Sequence, residues 1–235
     1  MPNHTTNLLT IVGEKHIQGL LRPFLSTENT TSEKNGLVMI TENEEDLQNS
    51  IFLDLNKIVP MPKYILETTE FGSETFLMTK RTAQERKKID IKQKKLSDKC
   101  KKLYGVTGWY DWSVKYWGTK WNTYETRWGG VDKNDNEQLF FQTAWSPPEP
   151  ALSKLSVKLN KIVRLTYMDE GYGFFGTYHF YPNGEVDDEC YTEHKDVPEE
   201  LCEELGINTY EEDKRENDEA DEDSRMGQPQ LKEQT

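Results

Sequence analysis

Apolar residues recur along the chain with two periods, the two-residue alternation of strands and the three-to-four-residue recurrence of helices. Residues 5–12 read as a strand closed by Gly13. Residues 14–24 read as a short helix that turns Ile17, Leu20, Leu21 and Phe24 inward, its last turn limited by Pro23. A polar loop over 26–35 leads to a short strand at 36–41. A firmer strand over 51–59 is stopped by Pro60-Met61-Pro62, which cannot continue a ladder. Residues 79–103 form a long helix with Ile89, Leu96, Cys100 and Leu103 on one face, broken by the glycines at 105 and 108. Trp109, Trp112 and Tyr116 then share the face of a short helix, and residues 118–122 turn the chain toward a strand. A strand at 139–146, a helix at 151–159 with Leu152, Leu155 and Leu159 on one side, and a strand at 161–168 follow. A hairpin comes last, with Asn183-Gly184 supplying the positive φ of its turn.

This order predicts an α+β fold, an antiparallel sheet with helices on one face. Four regions emerge: an N-terminal strand-helix-strand region (1–78), a basic amphipathic helix (79–105), an α+β domain (106–192) and an acidic, largely disordered tail (193–235). The N-terminal elements are expected either to join the sheet or to form a small companion unit.

Charge sharpens that division. The net charge is −13 over 235 residues, yet residues 187–235 alone hold 19 acidic against 5 basic side chains, which leaves the body nearly neutral. From Tyr210 onward no apolar period remains to be buried, the composition of a disordered segment. Within the body, residues 80–103 carry 11 Lys and Arg against 3 acids. Clustered lysines suit a nucleic-acid backbone, but at this spacing they also fill the solvated faces of an amphipathic helix, the reading favoured here. No apolar run is long enough to span a membrane, and the polar start at residues 1–7 lacks the basic and apolar parts of a secretory signal, so a cytoplasmic protein is expected. Three scattered cysteines argue against a disulfide framework and a zinc ribbon.

Candidate chemistry is sparse. Gly171-Tyr172-Gly173-Phe174-Phe175-Gly176 matches a dinucleotide fingerprint in letters, but a strand and not a helix is expected after the third glycine, so no cofactor is assigned. The acids Asp169-Glu170 and Asp187-Asp188-Glu189 could hold a divalent metal or do acid–base work, but adjacent residues of a strand point to opposite faces and turns are where solvated acids collect, so the reading favoured is solvated acids. Cys190, His194 and Cys202 could converge on a metal only if the fold brought them together, and no metal site is expected. His179 reads as a half-buried, hydrogen-bonded histidine. No catalytic residue is assigned. The informative block is 109–145, which holds all six tryptophans. Interleaved with lysine and arginine, tryptophans can stack bases at ~1–3 kcal/mol each, but a chain poor in aliphatic residues also needs their area for its core. The core reading is preferred for most of them, with Trp117, Lys120, Trp121, Asn122 and Trp145 the candidate residues for binding a partner or ligand.

Four stretches resemble one family: Met1-Pro2-Asn3-His4 with Asn7 and Leu9, Asn56-Lys57-Ile58-Val59-Pro60-Met61-Pro62, the block from Trp109-Tyr110-Asp111-Trp112 to Trp121-Asn122, and Thr143-Ala144-Trp145-Ser146-Pro147-Pro148. Together they are similar to the YubB-type proteins of phages and plasmids. That resemblance implies a ferredoxin-like domain over about 106–192 and a mobile-element origin, and it brings no activity or catalytic residues. The expectation is a non-enzymatic accessory protein of a phage or plasmid that binds a host macromolecule, a protein before a nucleic acid, in the host cytoplasm. Two alternatives stand beside it: a single-stranded nucleic-acid-binding protein using the Trp/Lys-rich segment, and a divalent-metal-dependent enzyme acting on a phosphodiester.

Overall fold

The computed structural model describes residues 3–27, 51–68, 82–210 and 212. Strand β1 (His4–Ile11) is the spine of the molecule, because Thr5, Asn7, Leu9 and Ile11 alternate onto one buried side. β2 (Leu25–Thr27) and β3 (Ile51–Leu53) form a separate two-stranded ribbon. β4 (Tyr124–Val131), β5 (Glu137–Ala144), β6 (Val163–Asp169), β7 (Phe175–Phe180) and β8 (Val186–Tyr191) complete a sheet of order β4-β5-β1-β6-β7-β8. Every neighbouring pair is antiparallel, and Asn7 stands opposite both Phe141 and Tyr167. The fold is α+β. The first strand of the chain therefore sits inside the sheet built by the C-terminal half and does not head a companion unit.

The main core lies on one face of this sheet. Helices α5 (Trp109–Tyr116) and α6 (Glu149–Leu159) place Trp109, Trp112, Leu152 and Leu155 against Leu9, Phe141, Leu165 and Tyr167. Among the described residues, the opposite face is covered at one corner. There α7 (Glu199–Leu205) buries Leu201 and Cys202 with Phe175 and Val197 in a second, smaller core. Arg164, one step from Leu165 and so turned away from the main core, holds Glu204 of α7 through two nitrogens at 2.5 and 2.6 Å.

Several elements differ from the sequence reading. The strand expected over 51–59 stops at Leu53, because the Asp54 carboxylate accepts the Asn56 amide at 3.0 Å and caps α2 (Leu55–Ile58). Pro62 then precedes α3 (Lys63–Leu66). The helix expected over 14–24 shrinks to α1 (Gln18–Leu21) and a 3-10 turn, Arg22–Phe24, that accommodates Pro23. The basic helix is α4 (Ala83–Tyr104), started by a Thr82–Glu85 capping box and ended by Gly105 at φ +73. Of its expected inner face, Cys100 is buried and Leu96 packs on the core, while Leu103 is exposed. The stretch assigned to the tail from 193 is folded through α7, since Leu201 and Cys202 have apolar partners. The strand expected at 36–41 and the acidic run beyond 212 lie outside the described residues.

Candidate functional site

Six tryptophans of one chemical kind receive different environments from their positions on these elements. Trp109 and Trp112 face inward from α5, and Trp117, which follows the helix, is fully buried. The Trp117 indole stands edge-on to Trp112, with ring centres 5.5 Å apart, and its Nε1–H donates to the Val59 carbonyl at 2.8 Å. Trp117 is therefore a core residue, which corrects its candidacy as a partner contact. Asn122 is also inside. Its Oδ1 accepts the amides of Leu55 (2.8 Å) and Thr123 (3.0 Å), and its Nδ2 donates to Asp54 Oδ1 at 2.8 Å. That hub joins the start of α2 to the start of β4 and offers no surface to a partner.

The other three candidates come together. The turn after α5 is clamped to the end of β5 and back onto the helix: Thr119 Oγ1 donates to the Ala144 carbonyl (2.9 Å), Ser146 Oγ donates to the Gly118 carbonyl (2.6 Å), and Ser113 Oγ of α5 donates to the Lys120 carbonyl (2.7 Å). Gly118 is required there, because its φ is +88 and a Cβ would meet Pro150 Cδ at 2.5 Å. The clamp sets Lys120 Nζ 4.7 Å from the Trp145 ring centre, 4.9 Å from that of Trp121 and 5.9 Å from that of Tyr110. Trp145 is 40% exposed and adopts φ +73. Such a left-handed backbone costs a non-glycine residue about 1–2 kcal/mol; here the Trp145 amide is held by the Asn3 carbonyl at 2.9 Å. The Trp121 Nε1–H is buried and has no hydrogen-bond partner among the described residues. Tyr110, edge-on to Trp145 at 6.1 Å, was missed by sequence reasoning. Its signal was position, one residue off the buried Trp109 face of α5.

The remaining candidate groups do not converge. Asp169 is buried and accepts the amides of Gly171 (3.1 Å) and Gly173 (3.2 Å) on Oδ2, whereas Glu170 is exposed. Asp187 accepts the Tyr181 hydroxyl at 2.8 Å and Asp188 that of Tyr167 at 3.1 Å, each apart from the other. After the glycines comes β7 and no helix, and Gly176 lies inside that strand. Cys190 is exposed, Cys202 is buried, and His194 Nε2 lies 3.0 Å from the Asn208 carbonyl. Among the described residues no three His, Cys, Asp or Glu side chains are grouped to hold a metal ion, and no described helix is long and apolar enough to cross a membrane. On the second face of the sheet a cleft of about 500 Å³ is lined by Arg164, His179, Glu200, Glu203 and Glu204. Its arginine is already committed to Glu204, and burial, with the Arg164 charge added, pushes the His179 imidazole below its usual range.

Comparison with known proteins places the chain. The family model described as "Ferredoxin-like domain in Api92-like protein" matches residues 117–235, just over half of the sequence, and the chain belongs to that family. The crystal structure of the protein api92 from Yersinia pseudotuberculosis is similar over 82% of this chain and 99% of that one, at 12% identity and a TM-score of 0.41. No curated protein matches.

Proposed function

We propose that this member of the Api92-like family is a non-enzymatic accessory protein of a phage or plasmid, of the YubB type, that binds a host protein in the host cytoplasm. Trp145, Trp121, Tyr110 and Lys120 form the contact. The observation that carries the reading is Trp145, an exposed indole held at an unfavourable φ beside a lysine already shared among three rings. Tryptophan and tyrosine anchors are enriched at the energetic centres of protein interfaces. Single-strand binding calls instead for a row of open ring faces along a groove lined with cations, and here one ammonium serves three rings. The acids that a phosphodiester enzyme would need are spread out, with Asp169 spent on backbone amides.

The test is affinity capture from host lysate with the full chain, with and without nuclease, against a Trp145→Ala variant. The expected result is a protein retained after nuclease treatment and weakened about 30-fold or more by the substitution, the effect of losing a hot spot worth ~2 kcal/mol. Capture abolished by nuclease would favour the nucleic-acid reading. Equal capture by both forms would remove the proposed surface.

A further inference from the structure

Helix α4 spans 22 residues, about 33 Å at 1.5 Å per residue. Its buried side is narrow: Cys100 is enclosed, with Ile89, Gln93, Leu96 and Tyr104 half-buried on the same side. The outward side carries two rows of lysine. Lys88, Lys92, Lys95, Lys99 and Lys102 follow one another at alternating steps of four and three, so each neighbours the next on the helix surface. Lys87, Lys94 and Lys101 recur every seven residues, about 10 Å apart along the axis.

Lys15, Lys161, Arg164 and Lys195 are paired with carboxylates elsewhere in the molecule. Lys99 lies over the Tyr64 ring at 3.4 Å. Among the described residues, Lys87, Lys88, Lys92, Lys94, Lys95, Lys101 and Lys102 have no ion-pair partner. An unbroken line of like charge at these spacings destabilises the free helix, yet α4 is firmly delimited by its capping box and by Gly105.

We propose that the lysine face of α4 is a docking surface for the phosphate backbone of a nucleic acid, read without regard to sequence and separate from the Trp145 surface. Charge complementarity carries the choice of occupant. A ridge from Lys88 to Lys102, about 21 Å long, matches a continuous line of phosphates, and lysines engage phosphate as point charges without the planar fork that reads base edges. A lipid surface fits less well, because most of the apolar side of α4 faces the protein body and leaves Ile91 and Leu103 as exposed apolar residues amid the lysines.

Fluorescence anisotropy of the full chain with a labelled 30-base-pair duplex, and separately a 30-nucleotide single strand, tests this over 50–200 mM salt. The reference variant is Lys88→Gln, Lys95→Gln and Lys102→Gln together, chosen because glutamine keeps helix propensity; circular dichroism checks the fold. The expected result on at least one probe is binding at 50 mM salt, with a log–log salt slope that flattens by about 2 to 3 in the variant. Trp145→Ala should bind like the unmodified chain. Absence of binding to both probes at 50 mM salt, a slope unchanged in the variant, or an equal loss in Trp145→Ala would each overturn the proposal.

Discussion

Replacing Asn122 by alanine separates a structural hub from a surface contact. The carboxamide oxygen accepts the Leu55 and Thr123 amides, and the nitrogen donates to Asp54, all inside the protein. Truncation strands the buried Leu55 N–H and deprives a buried carboxylate, which still accepts from Ser26 Oγ at 2.8 Å and from the Asn56 amide, of one of its donors. Each orphaned buried group costs about 1–3 kcal/mol, and a small void adds to this, so the loss is about 3–5 kcal/mol. With a urea dependence of roughly 2–3 kcal/mol per molar, the unfolding midpoint falls by about 1–2.5 M with its slope unchanged. Equilibrium urea unfolding followed by far-ultraviolet circular dichroism reads this directly. A midpoint within about 0.3 M of the unmodified protein, on the same scale, would show that Asn122 is not a buried hub of the fold.

Arg164→Gln breaks the double contact with Glu204, and charged hydrogen bonds of this kind contribute about 1.5–3 kcal/mol. The amides of Leu201–Leu205 should then exchange about 10- to 100-fold faster while those of β1 keep their protection; uniform acceleration across the sheet would contradict the local role given to this pair. His179 is held below its usual value of 6.5 by burial and by Arg164, against the opposing pull of Glu189, Asp187 and Glu204. The unfolded chain therefore takes up the proton first, so the stability contributed by the neutral ring is present above about pH 6.5 and drains away as pH falls toward the lower folded-state value. His179→Gln should flatten the pH dependence of the urea midpoint in that acid window, and an unchanged curve would argue against the shift. Gly176→Ala would place a Cβ 2.5 Å from Tyr167 Oη, close to the Glu189 carbonyl as well. An overpacking loss of about 1–3 kcal/mol is expected in the same urea assay, and a neutral substitution would show that β7 and β8 are not packed as described.

Local period made much of the fold legible. β1, β6 and α6 stand within a few residues of where their apolar spacing placed them. What local pattern did not carry was the identity of distant partners. Nothing near residues 4–11 announces that their neighbours are residues 137–144 and 163–169. Asp54 reads as one more position of a strand until its carboxylate is seen capping α2 and meeting Asn122, 68 residues away. Trp117 and Trp145 are alike in sequence, and their fates differ because a carbonyl at Val59 receives one indole while a left-handed turn after β5 projects the other. In α7 the apolar Leu201, Cys202 and Leu205 were hidden by the acids among which they lie, so composition outweighed a short helical face that the second core required.

Fluorine NMR of the full chain labelled with 5-fluorotryptophan, titrated with the host protein recovered by capture, tests the division of the tryptophans directly. The Trp145 and Trp121 resonances, assigned by single substitution, should shift or broaden as the partner is added. Those of Trp109, Trp112 and Trp117 should stay in place. Movement of the enclosed trio with Trp145 and Trp121 unaffected would contradict that division.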